Sequence, residues 1–329
     1  MFKKYRILNW VALVIASLIV LIFSFELWFK SLIPPRNPKI EATVVTELPY
    51  LSKDSVPNRG KILAVVTSTD LMGSSGKSTG YELTELSRAY YTFQANGFEV
   101  DIASPKGGEP PVVIDTEDMG PYDYAFLNDS IAQYRSKHTL KLKEVNPEDY
   151  AAVYFAGGKG AMYDFPDNKT IQLIVKDYYQ SDKVIGAVCH GPAALVNVKL
   201  DNGNPLLADK RVSGFTNKEE LLLIKDAETI FPFLLQDKIT EQGAHFNEGP
   251  MYLMQVSHDN NVITGQNPWS TWELAEAMVS QLGYQPKNRD ITDEENAVRV
   301  LSVYNSSGKG QAKELMTKLV LEEQQPLNR

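Results

Sequence analysis

Four short apolar runs, separated by segments of helical periodicity, constrain this chain more than any other feature. They are Lys61–Thr69, Phe98–Ser104, Tyr150–Ala156 and Val184–Val188. Each has the length and β-branched content of a strand buried on both faces. Between the first two, residues 81–96 place Leu83, Leu86, Tyr90 and Phe93 three or four apart, and Gly97 ends the helix. Between the third and fourth, residues 168–180 place Ile171, Ile174, Val175 and Tyr178 on one helical face. Strands alternating with helices predict an α/β fold, a parallel sheet sandwiched by helices. Sites in such sheets form at the carboxyl ends of the strands. The loops after Thr69, Ala156 and Val188 therefore meet at one edge.

The remaining segments are weaker. Residues 115–146 are polar and aromatic, with helices expected at 129–134 and 140–145. Residues 210–214 read as a short strand, 215–220 as a turn into a helix, and 231–243 as helical. Residues 252–257 and 261–265 read as a hairpin around His258, and 269–282 as a closing helix. The polar tail, 285–329, carries two amphipathic segments, 294–304 and 311–322. Their apolar residues (Ala297, Val300, Leu301 and Tyr304; Leu315 and Leu319) are expected to dock on the domain or on a second copy.

The N-terminus has a different composition. A basic tip, residues 1–6, precedes an almost wholly apolar run over 7–29, with Trp10, Trp28 and Phe29 near its ends. At 1.5 Å per residue this run spans roughly 30 Å, the thickness of a bilayer core. It is too long for the core of a cleaved signal, and Phe23-Ser-Phe-Glu-Leu-Trp28 is a poor cleavage site. The expectation is a single-pass signal anchor in the cell membrane, N-terminus cytoplasmic and the rest extracytoplasmic. Residues 30–60, with Pro34, Pro35, Pro38 and Pro57, read as an extended linker outside the core. The α/β domain then runs over 61–284.

Charge and cysteine usage narrow the function. The 41 acidic residues against 33 basic give a net charge of −8, with no zinc-ligand spacing and no basic stripe of the kind nucleic acid requires. No metal or cofactor motif is seen. Gly73-Ser-Ser-Gly-Lys-Ser78 fails the phosphate-loop pattern, because Leu71 stands where its first glycine belongs; it reads as an active-site loop. The single cysteine, Cys189, closes the fourth strand and is followed by His190-Gly-Pro192 and an apolar run, Ala193–Asn197. That is a strand, a sharp turn and a helix, an elbow that lifts its residue into a cleft. A helix N-terminus there would favour the thiolate.

The ordered motifs Gly80-Tyr81…Glu85, Val100-Asp-Ile-Ala-Ser-Pro105, Ala156-Gly-Gly-Lys-Gly-Ala-Met162, Ala187-Val-Cys-His-Gly-Pro192, Gly214-Phe-Thr-Asn-Lys-Glu-Glu220 and Thr264-Gly-Gln-Asn-Pro268 resemble the ThiJ/PfpI superfamily. Their combination is similar to its glyoxalase III and heat-shock-chaperone branch. The resemblance covers about residues 60–283. It implies a flavodoxin-like, class I glutamine amidotransferase-like fold, often a homodimer. It also implies a nucleophile, Cys189; its neighbour His190; a carboxylate behind that histidine, Glu220 rather than Glu219; and an acid from the first helix, Glu85 rather than Glu82. Gly157, Gly158, Lys159 and Gly191 would line the substrate, their N–H groups forming an oxyanion hole. Lys159 departs from the branch, which often has histidine there.

The implied chemistry is addition of Cys189 to a small carbonyl substrate, a 2-oxoaldehyde such as methylglyoxal. Proton transfer through an enediol and hydrolysis to a 2-hydroxy acid complete the reaction, without cofactor or metal. Two other readings stand beside it: a chaperone or redox-sensing binding protein with little turnover, and a cysteine amidase or peptidase.

Overall fold

The computed structural model describes residues 2–31, 38–52 and 56–319. The expected linker residues 32–37 and 53–55, and the end of the second tail helix (320–322), lie outside the described residues, as do Met1 and 323–329. The elements that matter are α1 (Phe2–Ser31), β1 (Lys61–Val65), α2 (Leu83–Ala95), β2 (Glu99–Ser104), α3 (Pro121–Asn128), α4 (Ser130–Lys137), β3 (Leu140–Lys141), β4 (Ala152–Phe155), α5 (Lys169–Gln180), β5 (Val184–Val188), α6 (Asn217–Leu223), β6 (Val256–Asp259), β7 (Val262–Gly265), α7 (Thr271–Gln281) and α8 (Asp293–Thr317).

Seven strands form one sheet in the order β6-β7-β5-β4-β1-β2-β3. All neighbours are parallel except β6 and β7, the expected hairpin, which begins at Val256 rather than Tyr252. Burial explains the composition: every residue of β4 and β5 is buried. Helices flank the sheet: this is the parallel sheet between helices that the alternation predicts, in the flavodoxin-like arrangement that the resemblance implies. Strand order reverses direction between β1 and β4, and the first two loops of the site leave the sheet at this switch point. Close approach needs glycine there. A Cβ on Gly191 would lie 2.3 Å from the Phe155 carbonyl oxygen at the end of β4.

Several expectations are corrected. Residues 30–60 are not all an arm outside the core. Pro38–Ala42, Val45–Glu47 and Pro49–Ser52 form short helical turns on the domain, and Ile40, Leu48 and Tyr50 are buried in its core. The Tyr50 hydroxyl accepts from Asn96 Nδ2 at 3.1 Å, and Asn128 Nδ2 donates to the Glu41 and Thr43 carbonyls, both at 2.9 Å. Three apolar residues spread among prolines suffice to bury this strap, where composition alone suggested solvent.

Helix α3 has no counterpart among the expected elements. Its aromatic sequence, Pro-Tyr-Asp-Tyr-Ala-Phe-Leu-Asn, is buried on most sides and shows little periodicity. Helix α4 extends over Ser130–Lys137, and 140–145 is a short strand and a 3₁₀ turn, not a helix. Residues 231–243 shorten to a helix over Leu235–Glu241.

The two tail helices merge into α8, kinked at Gly308 with φ +83°. Its Leu301 and Tyr304 are exposed, whereas Glu294 and Asn296 are buried. Ala312 and the expected Leu319 are buried as well, and a polar contact fixes the chain just before the helix. Arg289 donates to both oxygens of Glu295 at 2.5 and 2.7 Å and lies 4.0 Å over the Trp272 ring on α7.

Helix α1 is exposed along Trp10–Trp28, whose 19 residues have a mean hydropathy of 2.5. It has the length and apolarity of a membrane span or a signal sequence.

Candidate active site

Cys189 follows β5 directly and adopts φ +58°. A non-glycine residue in this region carries local strain of about 1–3 kcal/mol, which the surroundings must hold. They do so from two sides. The Cys189 N–H donates to the Gly265 carbonyl at 2.9 Å, and the Phe215 N–H donates to the Cys189 carbonyl at 2.8 Å. The next stretch of chain is a 3₁₀ turn, Gly191–Ala194, so no α-helix begins at the elbow. The expected helix dipole is absent as a source of thiolate stabilisation, and the thiol is instead pushed well up, first by burial and then by the charge of Glu85. The Lys159 ammonium opposes this.

The acid on the first helix stands where the resemblance implied. Glu85, in the first turn of α2, is fully buried, and its carboxyl interacts directly with the Cys189 thiol. Burial pushes that carboxyl up to about 8, against the pull of the thiol, the Gly157 N–H, Arg88 and Lys159. One oxygen, Oε2, accepts from the Gly157 N–H at 2.6 Å; the other has no nitrogen or oxygen partner. The thiol and carboxyl are too close, in too dry a setting, to carry two negative charges together, so they titrate as a pair that holds one proton over a wide pH range. Tyr154 on β4 fixes the first turn of α2 by donating its hydroxyl to the Glu85 carbonyl at 2.8 Å.

On the other side of the thiol, His190 Nδ1 lies 3.3 Å from Cys189 Sγ, and His190 Nε2 lies 2.5 Å from Glu220 Oε2. Burial acts to raise the Glu220 carboxyl, but the His190 charge and hydrogen bond outweigh it and hold it below the usual range. A carboxylate on Nε2 makes that nitrogen the protonated one, leaving Nδ1 to exchange a proton with the thiol. The imidazole packs against Phe215 at 4.7 Å.

Glu219 has a different task from its neighbour. Its Oε2 accepts from Thr216 and its Oε1 from the Tyr252 N–H, Gln266 Nε2 and Asn267 Nδ2, all at 2.8–3.1 Å. It ties the loops before α6, before β6 and after β7 into one frame.

The Gly157–Gly160 loop meets the elbow closely. A Cβ on Gly157 would lie 2.6 Å from Glu85 Oε2 and 2.7 Å from the His190 nitrogen. The Gly157 and Cys189 N–H groups are occupied by Glu85 and Gly265, so neither is a free oxyanion donor. The Gly158 and His190 N–H groups have no acceptor among the described residues and remain the candidates. Lys159 is half-buried, and its charge reaches Glu82, Glu85, Cys189 and Glu220.

Two further carboxyls stand here. Glu82, the alternative set aside in favour of Glu85, is held well above the carboxylate range by burial and then by Glu85. Asp164, which was not anticipated, is raised to about 6 by burial, accepts from Thr67 Oγ1 and the Ser68 N–H, both at 2.7 Å, and joins the loop after β1 to the Gly-Gly loop. Cys189 is buried, with 5% of the residue exposed. A cavity of about 740 Å³ lies elsewhere, between α7 and α8, and contains none of these groups.

Residues 77–281 match the model of the DJ-1/PfpI family. Among curated proteins, the chain is 30% identical over 233 residues to the glutathione-independent glyoxalase HSP31 of Saccharomyces cerevisiae, covering 67% of this chain and 97% of that one. Among solved structures, it is similar to the Rapid Encystment Protein 24 KDa of Francisella tularensis, with 39% identity, a TM-score of 0.64, and coverage of 68% and 99%. It is also similar to glyoxalase III from Candida albicans, with 27% identity, a TM-score of 0.63, and coverage of 68% and 97%.

Proposed function

The chain belongs to the DJ-1/PfpI family, and from that premise we propose that it is a glutathione-independent glyoxalase tethered to a membrane by its N-terminal helix. The observation that carries the activity is the unbroken relay Glu85, Cys189, His190, Glu220, with the thiol between a carboxyl of raised pKa and an imidazole backed by a carboxylate. Relatives from Saccharomyces cerevisiae and Candida albicans bear the activity in their names.

The relay suits a 2-oxoaldehyde. With the shared proton on Glu85, the Cys189 thiolate adds to the aldehyde carbon, and the carboxyl gives its proton to the new alkoxide. A hemithioacetal forms, and Glu85 is left as carboxylate beside the C1–H. It takes that proton as the carbonyl at C2 accepts one from His190, giving an enediol; return of a proton from Glu85 to C2, with the C1 hydroxyl proton passing back to His190, yields a thioester. The Gly158 and His190 N–H groups, without an acceptor among the described residues, would support charge on substrate oxygen. His190, protonated on Nε2 towards Glu220, relays protons at Nδ1 as water cleaves the thioester. The products are the 2-hydroxy acid and the free thiol. No electrons leave or enter: one carbon is oxidised and its neighbour reduced.

The test is lactate formation from methylglyoxal by the full chain without glutathione. The reading requires lactate from the wild type and none from Cys189→Ala. Released ammonia or cut peptide, without lactate, would replace it by a hydrolase. For the anchor, the apolar Trp10–Trp28 helix and the basic residues before it support a single span with the domain outside the cytoplasm. Protease added to intact cells should remove the domain; full protection would reverse that orientation.

A further inference from the structure

The segment Ile131–Lys143 is unlike the rest of this acidic protein. It contains Arg135, Lys137, Lys141 and Lys143 and no acidic residue, in a chain of net charge −8. It runs through α4 and the edge strand β3. Ile131, Tyr134 and Leu140 are 64%, 65% and 44% exposed. Ile131, Tyr134 and His138 lie three or four apart, and the Tyr134 and His138 rings stack at 4.3 Å. Arg135 is engaged by the Val100 carbonyl and Asp101, but Lys137, Lys141 and Lys143 have no ion-pair partner among the described residues. An exposed apolar stripe flanked by lysines without ion-pair partners among the described residues serves none of the chemistry at Cys189.

Its position supplies the partner. The strap that begins at Pro38 packs on α3, and Asn128, at the end of α3, binds the Glu41 and Thr43 carbonyls. Asp129 then caps α4. The stripe is therefore next to the point where the chain enters the domain. Only seven peptide steps separate Pro38 from Ser31, the last residue of α1, a reach of at most about 25 Å.

We propose that the α4–β3 face lies against the anionic lipid surface of the same membrane that α1 spans, with Ile131 and Tyr134 at the headgroup boundary and Lys137, Lys141 and Lys143 facing lipid phosphates. This rests on reading α1 as a span. It makes the domain a docked body with fixed orientation rather than one that swings on a tether. The carboxyl edge of the sheet then keeps a constant attitude to the membrane.

The experiment uses the full chain in a Cys189→Ala background, reconstituted in phosphatidylcholine–phosphatidylglycerol vesicles. A polarity-sensitive thiol dye is placed in turn at Val20→Cys, Ile131→Cys and Leu222→Cys, the last an exposed position on α6. Brominated lipid is the quencher. The expected result is strong quenching at 20, quenching at 131 roughly threefold or more above that at 222, and loss of the difference at 131 in high salt or with Lys137→Glu and Lys141→Glu together. Quenching at 20 with none at 131 overturns the docked face and leaves the anchor standing. Absence of quenching at 20 overturns both. Dye at 131 that is shielded by a second copy, seen as self-transfer between labelled chains without lipid quenching, also overturns the proposal.

Discussion

Two buried carboxyls of this molecule look alike and sit in different company. Glu85 is pushed up to about 8 and Glu294 to about 7, in both cases by burial first. Each has one oxygen without a hydrogen-bond partner. Glu85 faces a thiol at a strained elbow, with an imidazole and second carboxylate behind it. Glu294, at the start of α8, faces the backbone of Gly120 beside the buried Arg88–Asp123 ion pair. A raised carboxyl pKa is therefore not a mark of catalysis in itself. What separates the two is a nucleophile and a path for its proton.

The comparison breaks most sharply at the thiol. Cys189→Ala should remove turnover of methylglyoxal altogether, a loss of about 1,000-fold or more, with an unchanged circular dichroism spectrum. Glu85→Gln should lower kcat by about 100-fold or more, while Glu294→Gln should leave it within about twofold. Equal losses at both would erase the distinction. Glu220→Gln should cost about 10- to 100-fold in kcat, because His190 would lose the group that sets its protonated nitrogen.

A smaller effect concerns stability. Glu294 binds its proton more tightly in the folded chain than in the unfolded one, where the ordinary value is 4.5. Its contribution is most favourable below pH 4.5 and is lost as pH rises to about 7, by up to about 3 kcal/mol. Urea melts at pH 5 and pH 8 should therefore differ less in Glu294→Gln than in the wild type, with the variant the more stable at pH 8. The smallest shift concerns Lys159, whose charge favours the thiolate. Lys159→Met should move the pH midpoint of Cys189 alkylation upward by about half a unit, and Glu85→Gln should move it down. Iodoacetamide rates across pH read both directions.

The elbow was legible because its signal is local: a strand that ends in Cys-His-Gly-Pro announces it. Glu85, in the first turn of α2, came from the family resemblance and not from spacing. The choice between Glu219 and Glu220 was not local. It depends on which carboxylate faces the sheet edge and which faces the loops around Tyr252 and Gln266, a matter of tertiary placement. The same holds for Asp164, which reaches Thr67 across 97 residues.

The expected helix after Cys189 is only a 3₁₀ turn, Gly191–Ala194, a difference that the apolar composition of 193–197 does not reveal. The strap was missed because prolines concealed Ile40, Leu48 and Tyr50. Helix α3 was missed because burial on most sides removes the amphipathic period that would reveal it.

The central claim is that Cys189 and Glu85 together convert a 2-oxoaldehyde by proton transfer through an enediol. Proton NMR of the full chain with methylglyoxal in D₂O, without glutathione, tests it most directly. The account predicts lactate that carries deuterium at C2, and none from Cys189→Ala. Lactate that retains protium at C2 and forms at an unchanged rate in Glu85→Gln, or lactate formed equally by Cys189→Ala, would contradict it.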